Sequence, residues 1–381
     1  MKRLLLSCLS IILFCFHADG KEFNPSFKVT AKNAILIDTT TGDVLFDRNS
    51  TEQFEPASTT KIMTAYLVLD YLKDQRISLN DKHRVSVKAW KRGGSSMFLK
   101  EGETPSVHEL LVGVITLSGN DASITLAEGL GGSEEDFAEE MTVRAKELGA
   151  KNSVFRNVTG WPDSKHLTTA RDLAMIAWRT ILDYPAEYKK YYSMLEYTHN
   201  KIKQTNRNPL LFSNMVNADG LKTGVTNAAG FCLVASAVEK SRRLILVTAG
   251  AKSARDRARD SENLMSWGFR EFANYNLFDA GAVLEKAPVW FGDKTSIGLT
   301  VAKDAVVTLP KVARRSLKAE IIYNGPIQAP IQKGQQIGKL VVTSHKCAPR
   351  EIPLVATENV EEAGFIRSFG HTVRYLIMGS E

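Results

Sequence analysis

Two short, largely apolar runs, Ala34–Asp38 and Asp43–Asp47, flank Thr39-Thr40-Thr41-Gly42, and this pattern predicts a β-hairpin. Pro56-Ala57-Ser58 then opens a stretch with Ile62, Tyr66, Leu69 and Leu72 at helical spacing, so a helix to about Leu72 is expected. Val107–Leu117 reads as a second helix and ends at Ser118-Gly119-Asn120. Helical patterns recur over Asp121–Gly129, Glu134–Leu148 and Thr169–Asp183. Strand patterns return at Phe231–Val238 and Arg243–Ala249, joined by the polar turn Glu239-Lys240-Ser241-Arg242, and a helix over Asp256–Phe272 closes this part. Strands therefore flank a central block of helices. Without regular βαβ alternation, the expected class is α/β in the α+β sense, an antiparallel sheet with a helical cluster packed on it.

After Phe278 the texture changes. Val283–Val289, Ser296–Val301, Ala305–Leu309, Ala319–Tyr323 and Lys339–Val342 are short β-prone runs separated by Gly, Pro and charged turns. They predict a small all-β domain ending near Val355. The last pattern, Glu361–Met378, places Phe365, Ile366, Phe369, Val373, Leu376 and Ile377 in an arc of about 120°, with Arg367, His371 and Arg374 opposite. An amphipathic helix lying on an anionic membrane surface fits this pattern; the alternative is a terminal helix docked on the protein's own core.

Met1–Gly20 combines Lys2 and Arg3, an apolar run Leu4–Phe16, and small residues at Ala18 and Gly20. That is the layout of a secretory signal peptide, the run being too short to span a membrane. The expected division is a signal at 1–20, a catalytic domain at 21–278, a β-domain at 279–355 and a tail at 356–381. Export places the substrate outside the cytoplasm.

Composition adds exclusions. The chain of 381 residues is 44% hydrophobic and 24% charged, which argues against a disordered or polytopic membrane protein. Its net charge of +7 is spread along the chain; losing Lys2, Arg3 and Asp19 with the signal leaves +6. No nucleic-acid partner is expected from so diffuse an excess. Four cysteines exclude a disulfide scaffold, and Cys8 and Cys15 lie in the signal. Cys232, inside the apolar run Phe231–Ala235, and Cys347 are expected to be separate thiols. The histidines at 83, 108, 166, 199, 345 and 371 form no metal-ligand pattern, and no dinucleotide or Walker sequence occurs, so no cofactor or metal is expected.

Three motifs carry the chemistry. Ser58-Thr59-Thr60-Lys61 puts a hydroxyl and an amine on one face, one turn apart. A serine needs a base to become a nucleophile, and a lysine serves only with a lowered pKa. Ser118-Gly119-Asn120 falls between two helices, where Ser118 could relay a proton and Asn120 hold an amide. Lys222-Thr223-Gly224 supplies a second cation, a hydroxyl for a carboxylate, and a residue that lets a substrate backbone approach. Each alone is ordinary: an N-cap serine, a turn, a turn before a strand. Together and in this order they match the S-x-x-K, S-D-N, K-T-G signature of class A β-lactamases and penicillin-binding proteins, with Gly119 in place of the aspartate.

That variant resembles the serine D-alanyl-D-alanine carboxypeptidases, the low-molecular-weight penicillin-binding proteins. Gly94-Ser95-Ser96-Met97-Phe98 and Trp267-Gly268-Phe269 add to the resemblance, which covers nearly the whole chain. It implies a penicillin-binding-protein-like catalytic domain, Ser58 as acylated nucleophile, Lys61 as base, and Ser118 and Asn120 lining the cleft. It further implies Lys222 and Thr223 on the substrate carboxylate beside Gly224, and an oxyanion hole from the N–H groups of Ser58 and Val225. Asn206-Arg207-Asn208 resembles a segment whose arginine helps hold that carboxylate; otherwise Arg207 is a loop arginine in solvent. Some relatives carry histidine at the position of Val225. The implied partners are peptidoglycan stem peptides ending in D-Ala-D-Ala, β-lactams as covalent inhibitors, and an anionic membrane surface for the tail. A D,D-endopeptidase, a β-lactamase-like hydrolase and a non-enzymatic penicillin-binding structural protein are the competing expectations.

Overall fold

The computed structural model describes residues 23–345 and 347–364. The signal expected at 1–20 and the amphipathic pattern from Phe365 onward lie outside them. The described chain falls into two units, Asn24–Arg270 and a second beginning at Glu271.

The first unit is built on a five-stranded antiparallel sheet. Its order runs from Val44–Arg48 through Asn33–Asp38, Arg242–Ala251 and Gly230–Glu239 to Ala218–Thr226 at the open edge. The hairpin forms as its pattern predicts. The three inner strands are almost wholly buried, because helices cover both faces. Helix Ala254–Glu271 lies on one face, where Gly268 has room for no side chain against Leu36 and Leu244. Helix Ala170–Asp183 lies against the same strands within the main core. Helix Lys61–Lys73 is buried along nearly its whole length, which is why its sequence shows only a weak polar face. Helices Val107–Ile115, Asn120–Gly131 and Glu134–Glu147 complete the cluster. Ser106 caps Val107–Ile115 in a reciprocal box with Glu109.

Among the elements with no counterpart in the sequence reading are helices Val87–Lys91 and Pro185–Tyr191, and a hairpin of Glu196–His199 with Ile202–Thr205. The hairpin turns through Asn200 and Lys201, with φ of 47° and 66°.

The second unit holds a six-stranded sheet with the order Lys318–Tyr323, Gln336–Ser344, Cys347–Ala356, Ser296–Val301, Glu285–Trp290, Ile327–Gln328. Strand Phe272–Asn276 pairs with Val306–Pro310, so the β-rich unit starts before the Phe278 boundary read from the sequence. It also runs past Val355. Val360 bridges Ile331, Glu362 bridges Gly292, and Ala363 donates to the Phe291 carbonyl at 2.7 Å. Residues 361–364 are therefore extended chain of this unit and not the first turn of a helix, a correction to the expected Glu361 start. Here the Glu361 carbonyl accepts from Asp293 N at 2.9 Å, and Glu361 N donates to Asp293 Oδ1 at 3.1 Å. Cys232 and Cys347 are not joined in a disulfide. No helix among the described residues is long and apolar enough to cross a membrane.

Candidate active site

Pro56 leads into a single 3-10 turn, Ala57–Thr60, that runs directly into helix Lys61–Lys73. In a 3-10 turn, residues three apart eclipse, so Ser58 and Lys61 meet on one side. Ala57 is left-handed, with φ of 49°, an uncommon conformation for a residue with a Cβ. Thr59 Oγ1 donates to the Pro56 carbonyl at 2.6 Å and Thr60 Oγ1 to the Ala57 carbonyl at 2.8 Å, stapling the turn.

Lys61 is fully buried and its Nζ has three neighbours: Asn120 Oδ1 at 2.7 Å, the Thr159 carbonyl at 2.6 Å and Ser58 Oγ at 3.1 Å. A neutral amine has two N–H donors and one lone pair. With its donors on Asn120 and Thr159, the lone pair is left facing Ser58 Oγ. Burial, and next the charge of Arg207, push the Lys61 pKa down to about 7, against the opposing pull of Asp121. Lys222 is also buried, donates to the Thr223 carbonyl at 2.9 Å, and is held well below its ordinary range by burial first, then by Lys61, Arg207 and Arg257.

Ser118 is buried and left-handed, with φ of 63°, at the break before helix Asn120–Gly131. The Asn120 amide is divided: Oδ1 takes the Lys61 amine, and Nδ2 donates to the Gly93 carbonyl at 2.8 Å. Asn120 thus ties Lys61 to the segment Gly93–Leu99, which forms one wall. The buried Asp121 carboxylate fixes that wall by accepting from Met97 N at 2.9 Å, Leu99 N at 3.0 Å and Ser96 Oγ at 2.7 Å.

Lys222, Thr223 and Gly224 lie on the edge strand Ala218–Thr226. A Cβ on Gly224 would come within 3.0 Å of Ser58 N, so the missing side chain lets the strand lie directly against the Ser58 turn. Val225, next in line, is 53% exposed. In Asn206-Arg207-Asn208 the two asparagines are buried. Asn208 Nδ2 donates to the Gly220 carbonyl at 2.8 Å and Asn206 Nδ2 to the Met194 carbonyl at 3.0 Å. Locking both flanks presents Arg207 outward, where its guanidinium meets Ser95 Oγ.

The structure adds groups that the motifs do not name. The Thr159 carbonyl is one. Arg257, half-buried on helix Ala254–Glu271, lowers the Lys222 pKa, and its Nε is enclosed without a hydrogen-bond partner. His166 is buried against Thr60. A basic residue in Ala254–Glu271 could have been suspected only from its helical phase. A carbonyl leaves no trace in sequence. Among the described residues, no group of three or more His, Cys, Asp or Glu side chains could hold a metal ion.

A family model described as D-alanyl-D-alanine carboxypeptidase matches residues 20–253, and one described as the penicillin-binding protein 5 C-terminal domain matches 272–362. The chain is 42% identical over 370 residues to the Escherichia coli D-alanyl-D-alanine carboxypeptidase DacC, covering 95% of this chain and 91% of that one. It is 36% identical to DacF of Bacillus subtilis, covering 98% of each. Its fold superposes on penicillin-binding protein 5 of Haemophilus influenzae with a TM-score of 0.82 and 37% identity, over 89% of this chain and all of that one. Penicillin-binding protein D2 of Listeria monocytogenes, solved in an ampicillin-bound form, matches 65% of this chain and all of that one with a TM-score of 0.59 and 31% identity. With both family models matched in series and the three motifs converging on one buried lysine, the chain belongs to the serine-type D-alanyl-D-alanine carboxypeptidases of the low-molecular-weight penicillin-binding protein family.

Proposed function

We propose that this chain removes the terminal D-alanine from peptidoglycan stem peptides through an acyl-enzyme on Ser58. The observation that carries the reading is the buried Lys61 amine, held by Asn120 Oδ1 and the Thr159 carbonyl with Ser58 Oγ 3.1 Å away. Ser58 Oγ attacks the carbonyl between the two D-alanines while its proton passes to Lys61 Nζ. The N–H groups of Ser58 and Val225 receive the oxyanion. Ser118 takes that proton from Lys61 Nζ as it passes its own to the departing amine, and the terminal D-alanine leaves. Water then attacks the ester on the same path, restoring Ser58.

The substrate carboxylate meets Lys222, Arg207 and the added Arg257, which lie close enough to act on one another electrostatically, with Thr223 donating its hydroxyl. Gly224 admits the substrate backbone along the edge strand, and Asn120 keeps the base in place. A β-lactam presents a strained equivalent of the scissile amide with an adjacent carboxylate. The ampicillin-bound relative supports its use as a covalent inhibitor here. A labelled penicillin, followed by peptide mapping, should mark Ser58 and leave Ser58→Ala unmarked. Label on another residue, or none on the wild type, contradicts the assignment.

The signal pattern supports export to the periplasmic side of the inner membrane, and the basic and apolar faces after Gly364 support peripheral anchoring. Because residues 357–363 belong to the β-rich unit, the informative truncation ends the chain at Gly364. That protein should stay folded and no longer sediment with vesicles containing anionic lipid. Undiminished sedimentation would count against the anchor.

A further inference from the structure

The reading of Ser58 N as an oxyanion donor raises the question of what aims it. Ala57 C=O and Ser58 N–H are opposite ends of one planar peptide, so whatever fixes the carbonyl fixes the N–H. The Ala57 carbonyl accepts from Thr60 Oγ1 at 2.8 Å. Thr60 has one hydroxyl proton, and that bond uses it. Its oxygen therefore accepts in the contact with His166 Nε2 at 2.9 Å. His166 Nδ1 in turn accepts from the backbone N–H of Arg156 at 3.1 Å. Every proton in the chain is thus assigned, and only the Nε2–H tautomer fits it.

We propose that His166 is a positioning residue for the oxyanion hole: through Thr60 it orients the Ala57–Ser58 peptide and so the N–H that receives the developing charge.

Three further observations agree. The turn needs an external constraint, because Ala57 sits at φ of 49°. Ser58 N faces the strand that carries Val225, since a Cβ on Gly224 would lie 3.0 Å from it. The ring is neutral, as an accepting Nδ1 requires: burial, reinforced by the charges of Arg156 and Lys61 and opposed by Asp163, pushes the His166 pKa down to about 4. The Phe155 ring packs T-shaped with this imidazole, the centroids 5.5 Å apart, which is part of that burial.

The proposal rests on the assignment of Ser58, and the test separates the two. His166→Phe keeps the ring volume and removes both hydrogen bonds. His166→Gln keeps one donor and one acceptor. Thr60→Val breaks the chain from the other side. With D-alanine release from a pentapeptide as readout, normalised to sites titrated by penicillin, kcat should fall about tenfold or more in His166→Phe and in Thr60→Val, with KM within about twofold, since losing a whole oxyanion donor costs more. His166→Gln should recover to within about threefold of wild type. The double variant His166→Phe/Thr60→Val should be no slower than the slower single one, because both cut the same chain. Wild-type kcat in His166→Phe, even with a lowered Tm, overturns the proposal. So does failure of glutamine to restore kcat, or multiplying losses in the double variant. Penicillin label away from Ser58 in the wild type overturns the parent assignment instead.

Discussion

Lys61→Met is expected to slow acylation of Ser58 by a labelled penicillin about a thousandfold, the usual scale for losing a positioned general base. It should also erase the pH dependence that marks the base. On the proposed mechanism Lys61 acts in the wild type only as the free amine. With its pKa pushed down to about 7, the acylation rate should rise as pH increases through that value and level off above it. Arg207 supplies part of the depression, so Arg207→Gln should move the rising limb to higher pH, whatever it does to substrate affinity. Rates measured from acid to mildly alkaline pH on all three proteins check this. A limb unchanged in Lys61→Met would assign the base to another group. Methionine leaves Asn120 Oδ1 and the Thr159 carbonyl without their donor, at a cost of about 1–3 kcal/mol each. It also removes the need to bury an amine, so the variant should fold and its rate loss can be read as chemical.

Gly160→Ala should be the most damaging single methyl group in the catalytic unit. A Cβ at Gly160 would lie 1.7 Å from the Ala57 carbonyl oxygen, 2.2 Å from its carbon and 2.8 Å from Ser58 N. All three are backbone atoms, so no rotamer change relieves the clash. The residue is also left-handed, with φ of 77°. The Ser58 turn must move, and a displacement near 1 Å costs on the order of a hundredfold in rate. A stability loss of about 3 kcal/mol or more should accompany it. Gly132→Ala is the control: φ there is 81°, but nothing lies within 4 Å. It should show only the local backbone penalty of about 1–2 kcal/mol and wild-type acylation. Equal behaviour of the two variants would mean that packing against Ala57 is unimportant.

Much of the architecture was legible because burial and period agree. The hairpin at 33–48, the helices from Lys61, Val107, Asn120 and Glu134, and the paired strands at 230–251 all carry strong apolar patterns. Failures have local causes. The Asn200-Lys201 turn places a lysine where a glycine would announce a hairpin, and its strands are polar. Helix Pro185–Tyr191 is too short for its period to show. Residues 357–363 join their unit by isolated bridges and backbone bonds, which need no side-chain pattern. At the site, motif residues could be named because chemistry restricts them to a few types. His166 could not: its partner Thr60 lies 106 positions away, and a buried histidine looks the same in sequence whether it packs or positions. Nor does S-G-N reveal that Asn120 spends both ends of its amide on the protein's own Lys61 and Gly93.

The pair of buried amines also bears on folding. In the unfolded chain both lysines hold their protons up to the ordinary range near 10.5, while folded Lys61 releases its proton at about 7. The unfolded state therefore binds more protons between those values, so this residue makes the native state gain stability as pH climbs from about 7 toward 10.5, with the full penalty present below 7. The native fold thus holds uncompensated positive charge when these amines are protonated, and an anion placed among Lys222, Arg207 and Arg257 offsets it. Occupancy by a carboxylate should raise the melting temperature most at neutral and lower pH, where uncompensated charge is greatest, so the cleft acts as a thermodynamic switch on the whole catalytic unit as well as a place for chemistry.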